Sequence, residues 1–478
     1  MRPEFLFFLL AYFVLVLLIG LKFSRRMHSL EDFFLASRSL SAPLVFLSLT
    51  ASWFGASSIL VTTDEAFRTG VSAFWLIGLP AVATVLIFAF ILAGPIRRLD
   101  VMTLPDLVER RYGKAVRHLA SGLVLWYMVV LASSQMVALG QFIKPFLGWS
   151  YFCSLALGTG VVLVYLLSGG LRSVVATDVL QCILLTGGVI GLAILLVHSS
   201  PAAAVVEAVR QAGKQDYFHL FSDLKRNALI ALSFVLAWTI SPIAWQRVQS
   251  ARSESTARRG LLAAAGTFVI LYGLVVVIGI FALPLFSGRP LSDPLVSEII
   301  ASRAGRLGGG LLFVAVSAAI LSTLDTALNT GALTLTKDIY LNMRPRRPRT
   351  ASASALSGRV ATLITAGLAF TIATRFQSIL QTLGLASEIM AEGLFVPGLA
   401  MIFLKGKKPL AGGLSLILGG SFALASFLSA MSVLPFRLPA WPFSVPYGLA
   451  LSLLGFAVGL FLDRFRQLYR GFRFRSGP

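Results

Sequence analysis

Four acidic residues stand inside long apolar stretches: Asp178, Asp325, Glu388 and Glu392. A carboxylate at mid-bilayer is costly unless a cation, a proton or water compensates it. Each is therefore a candidate for ion or proton chemistry. Asp325 sits in VAVSAAILSTLDTALNTGALTLTKDIY (314–340). On a helix, Ala319, Ser322, Thr323 and Thr326 of this segment share one face through steps of three and four, and Asp325 and Asn329 share a neighbouring strip. Hydroxyl, carbonyl and carboxylate oxygens are the ligands that small hard cations such as Na+ prefer. The plainer alternative is a serine-rich packing seam with one buried acid.

A second stretch, SLTASWFGASSILVTTDEAFRTG (48–70), is rich in small and hydroxyl residues and has Gly55 at its middle. Small residues permit close helix packing. The sharper reading is a broken helix whose freed carbonyls face a cation at mid-bilayer, with Ser52, Ser57 and Ser58 on the two sides of the break. Carbonyls from such a helix and the hydroxyls of 314–340 could together form a five-oxygen cage. In GGLRSVVATDVLQ (169–181), Asp178 lies a turn or two inside its span. It could meet a cation, carry a proton, or cap against Arg172. Glu388 and Glu392 lie four apart on one helical face, where like charges repel. They could face a substrate path, relay protons, or sit near the water boundary.

The elements that must position these residues follow from composition. Of 478 residues, 57% are hydrophobic and 13% charged, against about 25% charged in a soluble protein. A soluble enzyme, a disulfide scaffold and a disordered chain are excluded. The net charge of +21 comes from 41 Lys and Arg against 20 Asp and Glu, with the basic residues in short runs between apolar segments. That is the pattern of cytoplasmic loops in a multispan membrane protein, not of a nucleic-acid-binding face. Both cysteines, Cys153 and Cys182, fall in apolar runs and are expected to be buried.

Thirteen helices are expected, at about 4–21, 42–68, 72–94, 116–147, 150–168, 172–198, 228–248, 259–285, 305–341, 353–374, 378–403, 409–430 and 445–466. With the C-terminus inside, most of the basic residues, Arg247 among them, fall in cytoplasmic segments. This puts the N-terminus outside. The stretches RPRRPR (344–349) and RFRQLYRGFRFR (464–475) are expected to anchor topology and touch lipid headgroups.

With these segments placed, the sequence resembles the sodium/solute symporter family, which contains the bacterial proline and pantothenate permeases and the sodium/sugar cotransporters. The stretches that carry the resemblance are 48–70, MTLPDLVERRYG (102–113), 169–181 and 317–340, with SPIAWQRVQSARS (241–253) as a weaker fifth. The resemblance implies an all-α integral membrane protein with a LeuT-type 5+5 inverted-repeat core. Its repeats would be 42–198 and 228–405, joined by a periplasmic loop at 199–227. An extra span and cytoplasmic loop (1–41) would precede them, and two spans with a basic tail (406–478) would follow.

By the same resemblance, Na+ would bind the carbonyls of Ala51, Phe54 and Ala319 and the hydroxyls of Ser322 and Thr323. A second cation or a proton would sit at Asp178 with Ser322, Asp325 and Thr326. Asp325 stands where two-sodium members commonly have a hydroxyl. The substrate would meet Trp53, Ser57 and Ser58, then Trp238, Thr239 and Ser241, with Gln135 and Glu388 nearby. Trp149 and Trp441 are expected in the headgroup belt.

The function expected is sodium-coupled symport of a small organic solute by alternating access, an amino acid, carboxylate or vitamin-like molecule rather than a sugar. The protein is expected to be a monomer in the inner membrane. Its partners would be the solute and membrane lipids, not nucleic acid. A proton-coupled symporter on the same fold is the main alternative, because the four buried acids offer proton sites. A membrane-embedded transferase is the remote one. The outside loops offer it scattered Asp216, Asp223, Asp293 and Glu298 rather than a catalytic cluster, so no enzyme activity is expected.

Overall fold

The computed structural model describes residues 3–24, 38–99, 101–288, 291, 293–343 and 351–475. Its helices in the first half are α1 (Pro3–Ser24), α2 (Ala42–Trp53), α3 (Thr62–Thr69), α4 (Gly78–Ile87), α5 (Ala93–Arg98), α6 (Leu104–Tyr112), α7 (Lys114–Leu147), α8 (Tyr151–Ser199) and α9 (Ala202–Gln211). Those in the second half are α10 (Leu224–Thr239), α11 (Pro242–Ser250), α12 (Glu254–Phe286), α13 (Leu295–Arg303), α14 (Arg306–Leu333), α15 (Ala351–Arg375), α16 (Ile379–Ile389), α17 (Phe395–Phe403), α18 (Pro409–Ala430) and α19 (Val445–Arg475). A π-helical turn, Met390–Leu394, joins α16 to α17 into one span.

Among the described residues, nine helices are long and apolar enough to cross a membrane, or ten if the bent pair α10–α11 counts as one. Three shorter apolar helices, Glu4–Gly20, Ala42–Trp53 and Tyr151–Leu167, stand where the first, second and fifth spans were expected. The expected helices at 150–168 and 172–198 run into each other as the single helix α8. At 1.5 Å per residue its 49 residues reach about 74 Å, which is chain enough for two crossings.

Two spans are broken. α2 ends where Phe54 leaves helical geometry (φ −86°, ψ 67°), and helix resumes past Gly55. α10 and α11 meet at a 42° bend, with Pro242 opening α11. Proline has no N–H to give the preceding turn, and its ring disfavours helix in the residue before it, so it ends one helix and starts the next. The breaks fall in the first span of each expected repeat.

α14 is the central element. It is apolar or small on all sides, and every residue from Phe313 to Leu333 is buried. Such a helix belongs inside a bundle, and α1, α2, α7, α8 and α15 pack around it. Large apolar side chains on the outer helices stay exposed, among them Phe7, Ile183, Ile270 and Phe461, as hydrocarbon contact requires. The cysteines divide. Cys182 is buried, but Cys153 is exposed, because it sits in the first turn of α8. The basic stretch 344–349 lies outside the described residues.

An ionic cluster ties α6 to the start of α7 and to the π-helical segment Thr334–Leu341 that continues α14. Thr103 and Asp106 cap α6 reciprocally, and the Thr103 hydroxyl also donates to Asp338 at 2.7 Å. Arg117 bridges Asp106, Glu109 and Asp338. Burial works against charge on Asp106, yet Lys337 and Arg117 beside it hold its carboxyl below the usual carboxylate range.

α18 and α19 form a closely packed hairpin. A Cβ on Gly459 would lie 2.3 Å from the Ala411 Cα, so the helices touch through backbone. Gly459→Ala must push them apart. We expect a loss of about 1–3 kcal/mol, visible as a lower melting temperature in detergent.

Candidate functional site

The break after α2 presses directly on α14. A Cβ on Gly55 would lie 2.4 Å from Thr323 Oγ1 and 2.7 Å from Gln135 Oε1. No residue but glycine fits that approach. The Ala56 N–H, freed by the break, donates to Gln135 Oε1 at 2.9 Å. Gln135 thus stands in for the missing helical carbonyl.

Four of the five expected sodium ligands come together here. Ser322 Oγ donates to the Ala51 carbonyl at 2.5 Å and lies 3.3 Å from the Ala319 carbonyl. Thr323 Oγ1 lies 3.4 Å from the same Ala319 carbonyl. The fifth, Phe54, immediately precedes the glycine on which Thr323 closes. All five residues are buried. The set is oxygen throughout and carries no formal charge. Carbonyl and hydroxyl dipoles of this kind suit a small hard monovalent cation.

The second expected ion group is built differently. Asp178 and Thr326 do meet, but around a side chain the sequence reading placed in a cytoplasmic segment. Arg247, on α11, is fully buried. Its guanidinium donates to Ser48 Oγ and Ser52 Oγ, both at 2.8 Å, and to Thr326 Oγ1 at 3.1 Å, and it lies 3.5 Å from Asp178 Oδ2. Ser48 adds a 2.6 Å bond to the same carboxylate oxygen. The rigid five-donor fork of arginine suits this role. The chain thus carries its own cation where a second sodium was considered. Asp325 instead accepts from the Tyr165 hydroxyl at 2.5 Å. One oxygen of Asp178 and one of Asp325 have no hydrogen-bond partner. Arg247 was misplaced because it lies in a short polar run, QRVQSARS, that looks like the start of a loop.

A cavity of about 30 Å³ adjoins the break and has room for about two waters. Trp53, Ser57, Ser58, Gln135, Trp238 and Ser241 line it, and so does Thr323, one of the expected sodium ligands. Tyr127 and Leu383 line it without having been foreseen. They carry no signal in a single sequence beyond lying on core helices.

Two expected substrate residues do not line the cavity. Thr239 bonds back to the Val235 carbonyl within its own helix. Glu388 points to the other side of its helix, where it accepts from Ser426 and Ser444. No side chain that lines the cavity is charged.

Trp53 and Trp238 meet edge to face at 5.9 Å. Phe234 stacks on Trp238 at 4.9 Å and touches Trp441 at 5.7 Å. Trp441, expected in the headgroup belt, packs here against this aromatic row. It folds inward onto Gly384, and its indole N–H donates to Ser233 at 2.9 Å.

Two outcomes follow from this geometry. Gly55→Ala must drive the break away from Thr323 and Gln135, and we expect sodium-dependent stabilisation to vanish in a thermal-shift assay. Arg247→Met leaves Asp178 buried without its counter-charge, at a cost of about 3–5 kcal/mol. The pair Arg247→Met with Asp178→Leu should recover most of that in melting temperature.

A family model described as the sodium:solute symporter family matches residues 33–407. The high-affinity proline transporter PutP of Bacillus subtilis is 28% identical over 381 residues, covering 75% of this chain and 78% of its own. The sodium/glucose cotransporter of Vibrio parahaemolyticus is 27% identical over 474 residues, covering 89% of this chain and 85% of its own. Among solved structures, a Na+-coupled sialic acid symporter superposes with a TM-score of 0.80 at 18% identity, over 96% of this chain and 97% of that one. The fold is thus the LeuT-type fold. On the family match, over most of its length, the chain belongs to the sodium:solute symporter family.

Proposed function

We propose that the chain couples inward movement of Na+ to uptake of a small organic solute, with Na+ held by Ala51, Phe54, Ala319, Ser322 and Thr323. The observation that carries this reading is the contact of the Gly55 break with Ser322 and Thr323, which gathers neutral oxygens and nothing cationic. The solute would bind between Trp53, Ser57, Ser58, Gln135, Trp238 and Ser241, where the small cavity must widen to admit it. Thr323 borders both positions, so each ligand orders a side chain the other uses. Sodium then raises solute affinity by the factor by which solute raises sodium affinity.

The uncharged lining favours a solute whose negative group is met by Na+ and by the positive end of the half-helix beginning at Ala56. Its apolar or ammonium part would lie on the indole faces. An amino acid or a small carboxylate fits that description better than a sugar. Arg247 at Asp178 supports one Na+ per cycle rather than two. A proton-coupled reading draws its support from the unpartnered oxygens of Asp178 and Asp325.

Thirteen crossings, repeats at 42–198 and 228–405, an outside N-terminus and a cytoplasmic C-terminus in the inner membrane complete the reading, with the monomer as the working unit. The breaks after Trp53 and Thr239, at like positions of the two halves, support the repeats.

Uptake into proteoliposomes in Na+ against K+, across amino acids, carboxylates, vitamins and sugars, tests this. Ser322→Ala and Thr323→Ala should each raise the sodium concentration for half-maximal uptake roughly tenfold, about 1.4 kcal/mol of lost binding. Unchanged sodium dependence in both would remove the assigned site. Uptake driven by a proton gradient without sodium would replace the coupling ion.

A further inference from the structure

Glu388 and Glu392 lie apart from both the sodium site and the solute cavity. They project from the α16–α17 span toward the α18–α19 hairpin. Glu392 is 0% exposed and Glu388 2%. Ser426 of α18 donates to Glu388 at 2.9 Å, and Ser444, just before α19, donates to the same oxygen. Neither oxygen of Glu392 has a hydrogen-bond partner. Its carboxyl is laid flat against α19, since a Cβ on Gly448 would lie 1.9 Å from Glu392 Oε2. Its backbone carbonyl meets α18 in the same way, 1.9 Å from where a Cβ on Gly419 would stand.

No described ion pair includes either acid. The elements packed on this span are α6, α7, α10, the π-helical turn Ser57–Val61, α18 and α19. α6 meets it at α17, where Arg111 donates to the Met401 carbonyl, and the other charged residues of α6 are Asp106, Glu109 and Arg110. The charged residues of α7 and α10 sit at helix ends: Lys114, Arg117, His118 and Lys144 on α7, Lys225 and Arg226 on α10. α17 and α18 have none. On α19, Asp463 caps the start of α18, far along the hairpin, with Arg464 and Arg466 beyond it. The groups that face Glu392 are the Glu388 carboxyl and the Ser444 hydroxyl.

Two carboxylates this close in a low-dielectric interior cannot both stay ionised without a compensating charge. A hard cation needs several oxygens around it and the space to hold it. Here both hydroxyls are committed to Glu388, and the backbone of α19 closes the other side of Glu392. A proton needs no such space. Glu388, with two hydroxyl donors, is the member suited to carry charge. Glu392, with none, is the member suited to be neutral. Environments that separate two acids in this way divide their roles.

We propose that Glu392 is a proton-binding site, with Glu388 as its ionised neighbour, and that the bound proton holds the α18–α19 hairpin on the α16–α17 span. The folded chain then keeps a proton that the unfolded chain releases, so stability falls as pH rises. The site is separate from the proposed sodium site.

The test is the melting temperature of the full chain in detergent from about pH 6 to about pH 9, at fixed Na+. Wild type should lose roughly 2–4 °C across that range. Glu392→Gln keeps the neutral form and should flatten the profile. Glu388→Gln removes the anionic neighbour and should move the loss to lower pH. If Glu392→Gln does not fold, the Glu388→Gln shift decides. Parallel profiles in wild type and the variants would overturn the proposal. So would recovery of wild-type stability at high pH on adding Ca2+ or K+, which would make the occupant a metal cation. The sodium site enters neither arm, so failure here leaves the proposed coupling untouched.

Discussion

The closeness of one backbone to one side chain governs this structure. Where α2 stops, Gly55 lets the chain come within reach of Thr323 and Gln135 at a distance no Cβ would tolerate. That approach leaves the Ala51 carbonyl with Ser322 as its partner and hands the Ala56 N–H to Gln135. A helix that runs on keeps its carbonyls for itself. A helix that stops inside a bilayer must find other partners for them. The proposed sodium site is what that requirement looks like when oxygens on the facing helix supply the partners.

Around this neutral centre the charges are kept apart. Arg247 and Asp178 face each other beneath a screen of Ser48, Ser52 and Thr326. Such a buried pair adds little net stability, because desolvation offsets the attraction. Its effect is to fix geometry. It ties α11, the second half of the second broken span, to α2, α8 and α14 at once.

Much of this was legible in the sequence. The hydroxyl spacing of Ser322 and Thr323 and the small residues around Gly55 pointed to the two segments that meet here, because helical periodicity and glycine permissiveness are local properties. Apolar length placed most of the spans. What stayed hidden depended on direction. Glu388 and Glu392 sit on a helix whose inner face lines the cavity through Leu383, and nothing local says that the acids face outward to the hairpin. Trp441 stands beside an apparent span end, where a belt position is the usual expectation, yet its loop folds inward. Arg247 carries the residue type of a topology signal and was counted as one. Tertiary contact, not local pattern, decided all three.

The aromatic row has a mechanical meaning. Trp441, in the loop between α18 and α19, leans on Phe234, which stacks on Trp238, which meets Trp53 at the cavity wall. Rings packed this closely do not turn independently, since dense interiors pass displacement from neighbour to neighbour. A molecule seated against Trp53 therefore has a rigid linkage to a loop outside the core. Three of its four members are indoles, so the linkage is also an optical one. The protein's own emission would follow the cavity's filling with no label attached.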